Sequence, residues 1–175
     1  GCLAGPVVSC AIILKKSINK KVLKDSKTIP FKNRITIAEH IKKNSWYAIG
    51  SASVNEIDKY NIFNATMLSM ERAIRKLKKK PHVFLVDGTH APKKLKNSKT
   101  IIKGDQKIKC ISAASILAKV YRDLYMIKLA NKFPKYKWHK NFGYGTSQHL
   151  NALKKFGVTS YHRKSYKPVH NILSK

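Results

Sequence analysis

Acidic side chains are scarce in this sequence, and two of them stand where carboxylates could do chemistry. Asp87 follows the apolar run 82–86 and precedes Gly88, at the kind of strand end where α/β proteins place their sites. Asp123 lies on the edge of the apolar stripe of a predicted helix, where a carboxylate needs a paired charge or a bound cation. Carboxylates in a basic protein suggest Mg²⁺ or Mn²⁺, which can assist phosphodiester cleavage.

Both acids also have simpler explanations, which the sequence leaves open. Asp87 and Gly88 form a common turn pair, and Asp123 could form an ion pair with Lys119 or Arg122 on the same helix. Metal-assisted phosphodiester cleavage usually uses more carboxylates than these two. Residue chemistry alone therefore gives a hypothesis of a metal site and does not decide it.

The charge balance indicates a polyanionic partner. The 175 residues include 37 Lys and Arg but only 8 Asp and Glu, which gives a formal net charge of +29. The electrostatic field of so positive a protein attracts phosphate backbones. A genome biased toward Lys, Ile and Asn codons would raise the Lys content as well. Composition therefore favours nucleic acid as the partner, with codon bias as a competing cause of part of the excess.

The cysteines and the hydrophobic runs indicate the compartment. Cys2, Cys10 and Cys110 form no CxxC pair, which suggests a reducing compartment rather than a zinc site or a disulfide framework. No apolar run approaches the roughly 18 residues of a membrane span. We therefore predict a cytoplasmic protein that makes no use of a membrane.

Two segments interleave basic and aromatic residues. Residues 139–146 combine cations, rings and glycines around Tyr144. Residues 161–166 again combine cations with aromatic rings. Rings can stack on sugars or bases, and lysines can pair with phosphates. The alternative is a packed loop whose aromatic residues belong to the core, and composition does not choose between the two.

The hydrophobic periodicity predicts a mixed α/β chain of 175 residues without an internal domain boundary. Strands are predicted over Pro6–Leu14, Trp46–Val54, His82–Val86 and Thr100–Lys103. Helices are predicted over Phe31–Lys43, Asn61–Lys79, Ser112–Lys132 and Ser147–Phe156, the last closed by Gly157.

Taken in order, several segments along the whole chain resemble bacterial ribonuclease HII. Each segment would be weak evidence alone, but their order and spacing are highly specific. The matching segments are Leu3–Val8, Asp25–Lys27, Asn61–Ile62, Ala65–Met67, Val86–Gly88, Lys103–Asp105, Ala113–Val120, Arg122–Asp123, Gly143–Thr146, His149–Leu150 and His162–Tyr166.

The resemblance implies a fold and an activity. The fold is a ribonuclease H-like mixed five-stranded sheet flanked by helices, with a helical C-terminal extension, and residues 1–175 are expected to form a single domain. The activity is hydrolysis of the RNA strand of RNA–DNA hybrids and cleavage 5′ of ribonucleotides embedded in duplex DNA. It leaves 3′-hydroxyl and 5′-phosphate ends, uses Mg²⁺ or Mn²⁺, and is expected from a monomer.

The resemblance also assigns roles by position. Asp87 and Asp123 look like metal-binding catalytic acids, and Tyr144 looks like the ring that stacks on the sugar at the RNA-to-DNA junction. Ser26 and Lys27 look like contacts to the nucleic-acid backbone. These five residues make up most of the expected site.

One departure from the family concerns its first strand, which carries an Asp-Glu pair followed by Gly-Arg-Gly. Gly1 matches the last glycine of that motif, so Gly1 is expected to line the substrate site. The other residues of the motif, and the first strand, are not in these 175 residues. On that basis the domain is expected to be N-terminally incomplete, to bind nucleic acid, and to cleave weakly or not at all.

A rival hypothesis explains the same composition without catalysis. A basic RNA-binding protein of the ribosomal type would bind folded RNA without metal and would tolerate loss of Asp87 or Asp123. The nuclease hypothesis instead predicts that both acids matter and that Mn²⁺ changes the behaviour of the protein.

Overall fold

The computed structural model describes residues 1–19, 23 and 30–174, and the chain divides into two compact units. We call the first the terminal unit; it contains Gly1–Val7, Ala52–Ala65 and Tyr121–Lys175. We call the second the sheet unit; it contains Val8–Ser51 and Thr66–Val120.

The described residues alternate between strands and helices. The strands are β1 (Val7–Leu14), β2 (Ser45–Ala52), β3 (Phe84–Asp87) and β4 (Ser98–Ile101). The helices are α1 (Phe31–Lys43), α2 (Val54–Lys76), α3 (Gly104–Lys107), α4 (Lys109–Lys132), α5 (Trp138–Asn141), α6 (Ser147–Phe156) and α7 (Lys167–Leu173). None of the helices in the described part of the chain is long and apolar enough to cross a membrane.

The mixed α/β class is confirmed, and the strands form two separate pairs. β1 pairs with β2, and β3 pairs with β4 in parallel register from Phe84 opposite Ser98 to Asp87 opposite Ile101. A continuous sheet was expected. Among the described residues, however, no strand hydrogen-bonds to both pairs, so the strands form two two-stranded sheets.

Helices α1 and α4 form the core of the sheet unit. Ala38 and Ile41 of α1 are fully buried, and so is Ile116 on the apolar stripe of α4. These side chains form one cluster against which Cys10 and Ile12 of β1 pack. Removal of this apolar surface from water stabilises the unit, and it fixes the faces that α1 and α4 bury.

An aromatic cluster forms the core of the terminal unit. Trp138 is fully buried, and its ring lies 5.2 Å from that of Tyr136 and 5.6 Å from that of Phe133. Residues 133–146, predicted as a loop, in fact contain a 3-10 turn over Pro134–Tyr136 and helix α5. Most of the rings in this segment therefore belong to the core, whereas Tyr144 remains 43% exposed.

The long helix α2 contains a break that the periodicity did not predict. Asn61 has a positive φ of 67° inside it, so two helical segments meet there. The Asn61 side-chain oxygen accepts a hydrogen bond from the Asn64 N–H, as a helix N-cap does. The predicted start at Asn61 is thus the start of the second segment, and the residues from Val54 to Tyr60 form a first segment.

Candidate active site

Asp87 ends strand β3 and is held there by its own side chain. Val86 points into the core, whereas Asp87 is exposed. The Oδ1 atom of Asp87 accepts a hydrogen bond of 2.8 Å from the N–H of Gly104, where α3 begins. The Gly88 N–H donates to the Ile101 oxygen at 3.0 Å and continues the pairing with β4. The strand end therefore presents the Asp87 carboxylate in a defined orientation.

A side chain at position 104 would crowd the Asp87 carboxylate. A Cβ atom on Gly104 would lie 3.3 Å from the Asp87 Oδ1 and 2.7 Å from the Cδ1 of Ile111. Lys103, just before it, has a left-handed φ of 54°, which turns the chain from β4 into α3. The segment Lys103–Asp105 thus supports the Asp87 carboxylate, and Asp105 is buried in α3.

Asp123 lies on α4 and is fully buried. The neighbouring Arg122 donates hydrogen bonds to the main-chain oxygens of Ala4 at 3.0 Å, Pro6 at 3.2 Å and Phe142 at 3.0 Å. The guanidinium therefore ties the start of the chain to the segment that carries Tyr144. A buried carboxylate beside this arginine agrees with the predicted position on the apolar edge of the helix.

The segment before Tyr144 turns through left-handed conformations. Phe142 has a φ of 48° and Gly143 a φ of 82°. A Cβ on Gly143 would lie 2.6 Å from the Ala4 oxygen, so only glycine fits this approach. The Gly143 oxygen accepts from the Leu3 N–H at 2.7 Å, and Cys2 forms an antiparallel bridge with Tyr144.

The Tyr144 hydroxyl lies within electrostatic reach of Asp123 and Arg122. Partial burial raises its pKa first, the Cys2 thiol raises it next by charge and by hydrogen bonding, and Asp123 adds to the increase, whereas Arg122 opposes it. The Arg122 guanidinium carbon lies 5.8 Å from the centroid of the ring. An exposed ring therefore lies beside a buried cation and a buried acid.

Gly1 is exposed and lies near Tyr144. It precedes Cys2, which pairs with Tyr144, and a Cβ on Gly1 would lie 3.9 Å from the Tyr166 ring. The terminal unit thus places Gly1 and Asp123 near Tyr144. Asp87 belongs to the sheet unit, and the two predicted backbone contacts, at positions 26 and 27, lie outside the described residues.

The second basic and aromatic segment divides into a packed part and an exposed part. His162 and Arg163 are buried, and Arg163 donates to the Gly5 oxygen at 3.1 Å. Lys164 and Ser165 are exposed, and both donate backbone hydrogen bonds of 3.0 Å to the Asp58 carboxylate. Asp58 lies in α2 and anchors this segment.

Two buried histidines, His149 and His162, complete the terminal unit. Their Nε2 atoms lie 3.0 Å apart. Burial and then the neighbouring His149 lower the pKa of His162 to about 3. Burial also lowers the pKa of His149. Their ring nitrogens are engaged by Trp138, Tyr144, Thr159 and each other, so these imidazoles act as structural groups.

The donor chemistry of the two predicted acids suits a hard divalent cation. Asp87 offers an exposed carboxylate, and Asp123 is a buried carboxylate beside the Tyr144 site. Within residues 1–19, 23 and 30–174, no group of three or more His, Cys, Asp and Glu side chains could hold a metal ion. The oxygen donors of each acid fit Mg²⁺ or Mn²⁺ by type.

Solved structures first define the fold class. The chain is similar to ribonuclease H2 from Pyrococcus horikoshii OT3, with a TM-score of 0.80 at 22% identity over 99% of this chain and 92% of that one. It is also similar to Bst-RNase HIII in complex with Mn²⁺, with a TM-score of 0.70 at 12% identity over 99% of this chain and 66% of that one. The fold is therefore that of the ribonuclease H2, HII and HIII enzymes.

Sequence comparison gives the family within that fold. The family model for ribonuclease HII matches residues 1–169. Ribonuclease HII of Pelagibacter ubique (strain HTCC1062) is 54% identical over 175 residues, which cover 99% of this chain and 94% of that protein. This chain belongs to the ribonuclease HII family. Its members are metal-dependent endoribonucleases of the ribonuclease H type, so the rival hypothesis of a non-catalytic RNA-binding protein is wrong.

Proposed function

We propose that this protein hydrolyses the RNA strand of RNA–DNA hybrids and cuts on the 5′ side of ribonucleotides embedded in duplex DNA. The products of this reaction are a 3′-hydroxyl end and a 5′-phosphate end. The observation that carries the proposal is the cluster of Gly1, Tyr144 and Asp123 in the terminal unit of a ribonuclease HII family member.

In this proposal the exposed Tyr144 ring stacks on the sugar at the RNA-to-DNA junction. The ring is 43% exposed, and Gly1 lies next to its bridge partner Cys2. A residue without a side chain at Gly1 leaves room for the sugar-phosphate backbone to approach. The 2′-hydroxyl is the group that distinguishes ribonucleotides from deoxyribonucleotides at such a contact.

We assign metal binding to Asp87 and Asp123. A bound Mg²⁺ or Mn²⁺ supplies activation of a water and stabilisation of the leaving oxygen. The Asp87 carboxylate is oriented by the Gly104 N–H, which leaves its second oxygen to serve as a ligand. Asp123 contributes a carboxylate that is shielded from bulk water.

The remaining charge supports binding of the duplex. With a net charge of +29, the protein releases counterions when it contacts phosphates, so its affinity falls steeply as salt rises. Ser26 and Lys27 are proposed as backbone contacts from the family resemblance. We further propose that residues 1–175 act as a single domain and as a monomer, in the cytoplasm, where the three free thiols stay reduced.

Product mapping tests this function. The protein is incubated in excess over a labelled DNA duplex with one ribonucleotide, in Mn²⁺ and then in Mg²⁺, and the products are resolved beside synthetic markers. Cleavage is expected to be weak, and any cut should lie 5′ of the ribonucleotide and leave a 3′-hydroxyl end. An all-DNA duplex of the same sequence is the control, and cleavage of that control or a cut on the 3′ side would contradict the proposal.

A further inference from the structure

The exposed Tyr144 ring is attached to a backbone that is held from the buried side. Its carbonyl oxygen accepts hydrogen bonds of 2.9 Å from the Thr146 N–H and 2.9 Å from the Nδ1 atom of His149. His149 is fully buried, and its backbone N–H donates to the Thr146 hydroxyl, the N-cap of α6. A buried imidazole therefore contacts the main chain of the residue proposed to bind the sugar.

The hydrogen-bond partners determine where the protons of the two histidines lie. The backbone N–H of Thr159 donates to the His162 Nδ1 at 2.9 Å, so this nitrogen is an acceptor. A neutral His162 then carries its proton on Nε2 and donates it to the His149 Nε2, 3.0 Å away. Trp138 also donates its indole N–H to the His149 Nε2, at 3.1 Å.

These contacts determine which ring nitrogen of His149 carries the proton. The Trp138 indole N–H can only donate to Nε2 and the Tyr144 carbonyl can only accept from Nδ1, so the single proton of the neutral ring lies on Nδ1. A proton on Nε2 would face the N–H groups of Trp138 and His162. We call Trp138, His149, His162 and Thr159 the histidine network; it has one consistent direction, from Thr159 and Trp138 to Tyr144.

We propose that His149 is a positioning residue for Tyr144, because the histidine network directs its Nδ1–H to the Tyr144 carbonyl and thereby sets the ring against the sugar of a bound duplex. The inference rests on the proposed function, in which Tyr144 contacts that sugar. His149 itself is buried and does not touch the substrate.

Two substitutions of His149 separate positioning from stability. In His149→Asn, the side-chain amide nitrogen replaces Nδ1 and keeps the donor to Tyr144, but the acceptor for Trp138 and His162 is lost. In His149→Gln, the amide oxygen replaces Nε2 and keeps the acceptor, but the donor to Tyr144 is lost. The Asn variant thus loses more buried hydrogen bonds, and the Gln variant loses the one that reaches the site.

The measurements are the Kd for a DNA duplex with one ribonucleotide, by fluorescence anisotropy at fixed salt without metal, and the midpoint of urea unfolding. We expect His149→Gln to raise Kd about tenfold, the effect of one lost hydrogen bond, and His149→Asn to stay within about twofold. The order of stability is expected to be the reverse, with His149→Asn unfolding at the lower urea concentration.

Affinity that follows stability, with His149→Asn the weaker binder, would overturn the inference, as would two variants that both bind like the unsubstituted protein. Tyr144→Ala separates this failure from that of the proposed function. If Tyr144→Ala leaves Kd unchanged, the proposed role of Tyr144 fails and the inference fails with it. If Tyr144→Ala weakens binding but His149→Gln does not, only the inference fails.

Nitrogen NMR of the unsubstituted protein gives a test that needs no variant to fold. We expect protonated Nδ1 and bare Nε2 on His149, and the opposite tautomer on His162. A proton on the His149 Nε2 would remove the donor to Tyr144 and would overturn the inference.

Discussion

The buried histidine pair predicts how the stability of the protein depends on pH. His162 has its pKa lowered from 6.5 to about 3, chiefly by burial and then by His149. Below pH 6.5 the unfolded chain binds a proton on this residue that the folded protein does not, so the free energy of unfolding falls as pH falls. This contribution is fully present above pH 6.5 and decreases progressively toward the folded pKa.

The size of the effect follows from the two pKa values. Between pH 7 and pH 5, the loss from His162 alone is about 2 kcal/mol. His149 acts in the same direction because burial lowers its pKa as well. A change of this size is a large part of the stability of an ordinary domain.

Urea unfolding at pH 7, 6 and 5 measures this fall in the free energy of unfolding. His162→Gln retains a donor to the His149 Nε2 but removes the titrating group, so its stability should fall less steeply with pH. His139→Asn is the matched control, because His139 is exposed and lies outside the histidine network. Equal slopes for His162→Gln and the unsubstituted protein between pH 7 and pH 5 would refute this reasoning.

Three further predictions concern Asp87, Asp58 and Cys10. Gly104→Ala should destabilise the protein by about 1–2 kcal/mol and lower metal-dependent cleavage, since the new Cβ meets Ile111 and crowds Asp87; urea unfolding and a cleavage assay check it, and adding Ile111→Val should restore both. Asp58→Ala should cost about 1 kcal/mol in urea unfolding because three hydrogen bonds to Lys164 and Ser165 are lost, whereas the exposed pair Glu39–Lys42 should be insensitive to Glu39→Gln. Burial raises the pKa of the Cys10 thiol to about 12, so at pH 8 Cys10 should react with a disulfide reagent about three orders of magnitude more slowly than a free thiol; equal rates for Cys10 and a model thiol would be evidence against its burial.

Hydrophobic periodicity and a helix cap predicted the bounds of two helices. Helix α1 over Phe31–Lys43 and helix α6 over Ser147–Phe156 have the bounds that their periodicity and the cap at Gly157 predicted. The first segment of α2 was missed, although Ser53 and Glu56 form a capping box at its start. Helix α7 was also missed, because its sequence Lys167–Leu173 combines basic residues with a proline.

The candidate site depended more on contacts between distant parts of the chain. Asp87 was predicted at the end of a strand and lies there, but its bond to Gly104 spans 17 positions, a separation that periodicity does not reach. The histidine network depends on pairing between α6 and residues 159–162. His149 and His162 have no metal-ligand spacing, and only tertiary structure shows that they bind each other.

The most direct test of the central claim is cleavage by carboxylate variants. The protein in excess is incubated in Mn²⁺ with a duplex that carries one ribonucleotide, beside Asp87→Asn, Asp123→Asn and the control Glu39→Gln. We predict a cut 5′ of the ribonucleotide that is retained in Glu39→Gln and lost in both aspartate variants. A cut that persists in either aspartate variant would contradict the assignment of Asp87 and Asp123 as the metal-binding acids of this chain.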